Sequence, residues 1–228
     1  KIDKQSENPD LIPQLMEKAA ALGILGAALP EEYGGMSVDF NTESVLSEEL
    51  GKSQSFSVAL AAHMGIGTLP ILYYGSDAQK KKYLAGLGDG SVKAAYCLTE
   101  PDSGSDALAA KSKAVLDGDE WVINGAKMWI TNGGFADLFT VFAQVDGDKF
   151  TGFLVEKGTP GLTLGDEEVK LGIKGSSTRQ VFLDDVRIPK DNLLGEIGKG
   201  HKIAFNVLNI GRYKLCAMVM GGSKRSIN

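Results

Sequence analysis

Ala114-Val115-Leu116-Asp117-Gly118-Asp119-Glu120-Trp121-Val122-Ile123-Asn124-Gly125-Ala126-Lys127-Met128-Trp129-Ile130 is the stretch that decides the fold. Asp117-Gly118 and Asn124-Gly125 both suit the left-handed backbone of two-residue hairpin turns, and short apolar segments flank each of them. Two hairpins are therefore expected here. Downstream, Leu138 to Val145, Asp146-Gly147 and Phe150 to Val155 read as a third, and a strand from Thr178 to Leu183 closes the series. Upstream, Val92 to Leu98 reads as one more strand. No helical pattern separates these strands, as a parallel sheet would need, so the region is expected to be an antiparallel sheet or β-barrel.

Helical patterns lie on both sides. Leu11, Leu15 and Leu22, with Ile12, Met16 and Ala19, recur at helical spacing, and Gly23 is a stop signal. A second helix is expected from Val38 to Leu50, capped by Ser37 or Asp39 and ending at Gly51. A third, Ser55 to Tyr74, is apolar on most sides and so expected to be buried. A fourth begins at Asp77, read as its N-cap, and runs to the Gly86/Gly88 region. After His201, the residues Ile203, Val207, Ile210, Leu215 and Val219 resume a helical pattern that is still running at Asn228. The expected class is α+β: an N-terminal helical domain over 1–90, a middle antiparallel β-barrel domain over 91–198, and over 199–228 the first helix of a truncated C-terminal helical domain.

Composition excludes several classes. Glycine is 29 of 228 residues, well above the usual ~7%, but with 7 Pro and no Gly-X-Y repeat neither collagen nor disorder fits. Cys97 and Cys216 make neither a disulfide framework nor a CxxC motif, which favours a reducing compartment. Ala19 to Leu29 is the longest run free of polar side chains, too short for the ~17–25 residues that span a bilayer, so no transmembrane segment is expected. No signal-type leader is visible, and the opening at Lys1 without a Met reads as a processed, trimmed or partial chain. Residues 196–228 carry six bases and one acid, net +5, while the formal charge of the whole chain is −5. Two acidic thirds argue against a nucleic-acid face; a solvated helix face or a local site for a phosphorylated small molecule remains.

Most chemical motifs are absent. There is no Walker A loop, HExxH or GxSxG, and Gly65-Ile66-Gly67 lacks the third glycine of a dinucleotide fingerprint and follows a helix. His63 and His201 read as structural. Tyr96-Cys97-Leu98-Thr99-Glu100-Pro101-Asp102-Ser103-Gly104-Ser105-Asp106 leaves a strand and is either a surface turn or a backbone-lined cradle for a polar cofactor. In Asn124 to Gly133, Trp129 is either a core aromatic or a stacking platform beside the Thr131 hydroxyl.

These two segments resemble the acyl-CoA dehydrogenase family: the first matches its signature loop from Cys97 to Ala109, the second its Gly-x-Lys-x-Trp-Ile-Thr-Asn segment. Further landmarks of the family are Pro30 to Gly35, Gln79 to Leu84, Leu171 to Thr178, and Val186-Arg187-Ile188-Pro189 leading to Asn192-Leu193-Leu194-Gly195. The resemblance implies an FAD enzyme that desaturates an acyl-CoA thioester between its α and β carbons and passes electrons to an electron-transfer flavoprotein. Tyr96, Cys97, Leu98 and Thr99 would line the flavin, with the Thr99 hydroxyl near N5. Ser105 would contact flavin phosphate or the CoA arm, Trp129 would cover the ring, and Ile130 and Thr131 would bond its edge. Asn209 and Arg212 align with a substrate-contact motif, although Asn209 departs from the family's usual Asp and resembles the very-long-chain branch. Gly211 stands where some members carry their catalytic Glu, so the base is expected beyond Asn228 and the catalytic residue in this chain stays unassigned; the 228 residues alone are expected to be inactive.

Small side chains at Ala59, Ala61, Ala62, Gly65 and Gly67, on a helix that walls the acyl tunnel in this family, imply either close helix packing or a long acyl substrate. Glu168 matches a position facing the electron-transfer flavoprotein. The resemblance further implies a homodimer or homotetramer, in a bacterial cytoplasm or a mitochondrial matrix. An acyl-CoA oxidase, which shares both motifs, and a non-catalytic binding or structural fragment are the alternatives.

Overall fold

The computed structural model describes residues 8–227; residues 1–7 of the expected helical domain and Asn228 of the expected last helix lie outside the described residues. Helix α1 (Leu11–Ala21) turns Ile12, Met16 and Ala19 inward at the expected spacing. Helix α2 (Phe40–Gly51) is capped by Asp39, not Ser37: the Asp39 carboxylate accepts a hydrogen bond from Thr42 N at 2.9 Å. Helix α3 (Ser55–Tyr74) is long and apolar enough to cross a membrane, but 67% of its apolar window is buried inside the protein, as a core helix would be. Its middle, Ala62–Gly67, is wound as a π-helix. Helix α4 (Asp77–Asp89) is capped one residue earlier than expected, by Ser76. The Ser76 hydroxyl accepts from Gln79 N at 3.2 Å and the Gln79 side chain accepts from Ser76 N at 3.0 Å, a reciprocal capping box.

One eight-stranded sheet follows: β1 (Ala94–Cys97), β2 (Lys113–Asp117), β3 (Glu120–Thr131), β4 (Leu138–Val145), β5 (Lys149–Glu156), β6 (Leu162–Glu167), β7 (Thr178–Pro189) and β8 (Leu193–Leu194). Its order is β6-β7-β3-β2-β4-β5-β8, with β1 also on β4. The expectation of an antiparallel barrel needs correction, because the sheet is open and mixed. β1 and β2 both pair parallel with β4, β1 along Leu138–Val141 and β2 at Gln144 and Val145. No crossover helix is needed: the chain leaves the β4 edge after Cys97, loops through residues 98–112, and rejoins the same edge in the same direction.

The second correction concerns Asn124-Gly125. Asp117-Gly118 and Asp146-Gly147 do turn hairpins, but β3 runs straight through Asn124 and Gly125, and only its register against β7 shifts there. This is a β-bulge. Gly125 sits at φ +152°, and a Cβ there would collide with the Ser112 side chain. The Asn124 side chain reaches across to Asp185, accepting from its backbone N at 2.8 Å and donating to its carboxylate at 2.9 Å.

Strands β4 and β5 are buried along nearly their whole length, so each feeds two cores. Leu138, Phe142, Phe150 and Leu154 face the helices and pack with Leu84, Leu87 and Ile203. Phe139, Val141, Phe153 and Val155 face the other way, toward Trp121, Ile123, Val181 and Val186, because the sheet curls over on itself. Helix α5 (Gly200–Ile227) lies along α2, and the approach is close enough that a Cβ at Gly51 would strike the Met218 backbone and one at Gly221 the Glu48 backbone.

His63 joins these layers. It is fully buried; its Nε2 lies 2.9 Å from the Leu87 carbonyl, and its Nδ1 accepts from Ala94 N at 3.1 Å. That pattern uses the neutral ring, with the proton on Nε2. Burial lowers its pKa from 6.5 to about 4, against the Leu87 hydrogen bond, which favours the charged form. The unfolded chain therefore binds more protons than the folded one between those two values, and stability falls as pH drops through that window. A fall of about 3 kcal/mol from this group is expected between pH 6.5 and 4. Urea unfolding across that range should show it, and His63→Gln should remove that part of the pH dependence while lowering stability at neutral pH.

Candidate functional site

Two chain segments meet at the end of β1. Residues 98–112 leave the sheet edge there, and the second half of β3 passes beside them, with Met128 N donating to the Thr99 carbonyl at 2.9 Å. Beneath this contact lies a buried ion pair. Lys127 Nζ is 2.5 Å from Glu100 Oε1, with side chains 0% and 3% exposed. Glu100 also accepts from Lys111 N at 2.5 Å and Ser112 N at 3.2 Å, while Lys127 reaches toward the Leu98 carbonyl at 3.5 Å. Desolvation acts to raise the Glu100 pKa, but the Lys127 charge and these hydrogen bonds outweigh it and hold the carboxyl below its ordinary value. Burial draws Lys127 down, opposed by Glu100. The loop is closed further by paired backbone hydrogen bonds between Glu100 and Ser103 and by the Ser103 hydroxyl on the Asp106 carbonyl at 2.7 Å.

Above the pair is a cleft of about 170 Å³. Tyr96, Leu98, Thr99, Trp129, Ile130 and Thr131, six of the expected flavin residues, line it. Strand alternation explains Tyr96 and Leu98, which face the helices, while Cys97 between them turns into the sheet core. The Cys97 side chain therefore does not reach the cleft, and burial pushes its thiol up to about 12, leaving it inert. The Tyr96 ring packs edge-on against Phe142, and its hydroxyl donates to the Ala204 carbonyl of α5 at 3.4 Å. Trp129 sits in a second bulge, between Lys127 and Ile130, at φ +61°, and is 52% exposed. A bulky side chain at positive φ is strained and persists only where its surroundings impose it. Asn132 helps impose it: fully buried, it donates from its side chain to the Ala59 carbonyl at 2.9 Å and from its backbone to Ser177.

A second, mainly apolar cavity of about 300 Å³ lies between α2, α3 and α5. Ile66, Thr131 and Leu208 line both spaces, so the two adjoin. Arg212 borders the larger one and donates to the Asn209 side chain at 2.7 Å; Asn209 itself is exposed and is absent from both walls. Ser105 is exposed in its loop and lies outside both. Of the small residues on α3, Ala61, Ala62 and Gly65 line the larger cavity. Ala59 and Gly67 do not; a Cβ at Gly67 would meet the Ala94 Cβ at 2.7 Å, so that glycine serves close packing. Glu168 is half-buried and accepts from the Gln180 side chain at 3.1 Å.

Met128, Ile66 and Leu208 in the cleft wall and the Glu100–Lys127 pair lie outside the residues expected from the motifs. The pair had a signal: a lysine at a position where strand alternation turns the side chain inward needs a buried acid.

The cleft suits a planar ring system. Apolar walls at Leu98, Ile130 and Trp129 and hydroxyls at Thr99 and Thr131 would exclude water and bond ring edges, which fits an isoalloxazine.

Comparison with known proteins agrees. Residues 1–91 match the acyl-CoA dehydrogenase N-terminal domain, and residues 95–186 match the middle domain of the same family. A probable acyl-CoA dehydrogenase of Bacillus subtilis is 58% identical over 216 residues, covering 94% of this chain and 36% of the relative. The mitochondrial very long-chain specific acyl-CoA dehydrogenase of Rattus norvegicus is 43% identical over 218 residues, covering 90% and 33%. A solved acyl-CoA dehydrogenase from Bacillus anthracis, complexed with FAD, superposes with a TM-score of 0.97 at 49% identity, covering 99% of this chain and 39% of that one. The chain thus spans about a third of the length of these curated relatives.

Removing one member of the buried pair strands a charge. Lys127→Met or Glu100→Gln is expected to cost about 3–5 kcal/mol in urea unfolding. The double variant should cost less than the sum of the singles.

Proposed function

Because the chain belongs to the acyl-CoA dehydrogenase family, we propose that it supplies the flavin cleft and the acyl cavity of an enzyme that uses FAD to desaturate an acyl-CoA thioester between its α and β carbons. One observation carries this reading: the polar-edged cleft and the apolar cavity adjoin along Ile66, Thr131 and Leu208. A thioester seated at that junction has its reacting carbons beside the cleft and its tail in the cavity.

When bound, the flavin supplies the hydride acceptor. Tyr96, Leu98, Thr99, Trp129, Ile130 and Thr131 would hold it. Thr99 and Thr131 offer hydroxyl donors to its edge, and the apolar walls keep water from the reacting atoms. Ser105, on the exposed turn, would meet a phosphate. Arg212, at the mouth of the cavity and held by Asn209, would orient the CoA end through charge-assisted hydrogen bonds. By the family resemblance, in which some members carry their base at the position of Gly211, the α-proton would pass to a carboxylate supplied from outside residues 1–228. Electrons would leave to an electron-transfer flavoprotein past Glu168, and the enzyme would work as a homodimer or homotetramer.

A long acyl chain is favoured by the width of the cavity at Ala61, Ala62 and Gly65. A Cβ at Gly65 would meet nothing within 4 Å, so this glycine opens space.

The intact protein carrying this chain should be yellow and should bleach when long-chain acyl-CoA is added without oxygen; a yellow protein that never bleaches contradicts the reading. Residues 1–228 alone should give no turnover. Gly65→Leu should lower kcat/KM for palmitoyl-CoA relative to butyryl-CoA at least ten-fold, and equal use of both substrates by the unaltered enzyme would count against the long-chain preference.

A further inference from the structure

The larger cavity has one charged feature in its wall that the reading above leaves unused. Glu43 of α2 and Lys214 of α5 form an ion pair at 2.7 Å, with side chains only 11% and 14% exposed. Both residues line the cavity. The other polar side chains contributed by α2 and α3, Ser47 and Ser57, are occupied by the Glu43 and Gln54 carbonyls. Glu43 and Lys214 reach across the gap between two helices.

Helices α2 and α5 run in the same direction, and they are pinned at both ends. At the far end Gly51 and Gly221 bring the backbones together, and Lys224 pairs with Glu48. At the near end the rings of Phe40 and Tyr213 meet at a tilt of 34° with centroids 4.5 Å apart on the outside, both half-exposed, and the Glu43–Lys214 pair sits inside them. Between these ends Leu46, Leu50, Leu215 and Met218 line the cavity. Lys214 is six residues past Leu208, the shared wall of the flavin cleft, which puts it about 9 Å along the helix from the junction. It therefore flanks the acyl tail rather than the reacting carbons.

We propose that Glu43 and Lys214 form a clasp that seals the α2–α5 seam and sets the upper limit on the acyl chain the cavity takes. This rests on the acyl-CoA reading given above. The lysine stem contributes apolar wall, while its ammonium is held by Glu43. A tail filling the cavity removes water from around the pair and strengthens it, so the pair grips harder when the site is occupied. A tail too long for the space has to part the two helices, and parting them separates two largely buried charges. Glu43 and Lys214 are thus specificity-determining residues, distinct from those that touch the reacting atoms.

The test uses the intact protein, as the unaltered form, Glu43→Ala/Lys214→Ala, and the exchanged pair Glu43→Lys/Lys214→Glu. Two profiles are read for each over saturated chains from butyryl to eicosanoyl: kcat/KM for the acyl-CoAs, and affinity for the free fatty acids, which need neither flavin nor base. In the alanine variant the longest chain accepted should rise in both profiles, with at least a ten-fold gain for chains beyond the unaltered enzyme's limit. The exchanged pair should restore the original limit. An upper limit unmoved in the alanine variant, with its circular dichroism spectrum intact, overturns the proposal, as does a shift that the exchanged pair leaves uncorrected. Fatty-acid profiles that shift and recover in a protein that desaturates no acyl-CoA would support the clasp while refuting the proposed activity.

Discussion

The buried contact between Lys127 and Glu100 is the constraint on which the site depends. Withdrawing two charges from water costs several kcal/mol each, recovered only when geometry and further hydrogen bonds are good. Here the carboxylate takes the ammonium of β3 and two backbone N–H groups from the return of its own loop, at Lys111 and Ser112. Because those partners come from separate parts of the chain, the pair holds the 98–112 excursion to β3 at one register. Thr99 and Thr131, the two threonines of the cleft, are set by that register. Neither charged residue lines the cleft itself.

Backbone geometry supplies the rest of the positioning. The bulge at Asn124-Gly125 lets β3 come close to Ser112, just where the loop rejoins the sheet. The bulge at Met128-Trp129 re-aims the strand so that an indole faces outward over the cleft. At the strand end, Asn132 ties β3 to α3, and His63 ties α3 to β1 and α4. Helices and sheet thus converge on one junction, where Ile66, Thr131 and Leu208 separate a polar-edged space from an apolar one.

Much of this was legible in the residues. Helix positions follow from apolar spacing, and the two Asp-Gly dipeptides specify their turns because their signals are local. Asn124-Gly125 misled because a bulge and a turn ask the same thing of the backbone, a glycine at positive φ. What separates them is Asp185, which Asn124 grips across the sheet, far away in sequence. The open, mixed sheet is not legible for a related reason: the parallel pairing of β1 and β2 with β4 follows from a loop that leaves and rejoins one edge, and strand spacing does not encode it. Cys97 belonged to the recognised motif, yet alternation along β1 turns it inward. The Glu43–Lys214 pair, between two helices distant in sequence, had no local signal at all.

The role of the buried pair as the setter of the cleft is tested most directly by FAD titration of the apo form of the intact protein. The unaltered form and Lys127→Met are compared under conditions where both are folded. If the pair sets the cleft, Lys127→Met binds FAD at least ten-fold more weakly although residue 127 does not line the cleft. Equal affinity in the two proteins would contradict it.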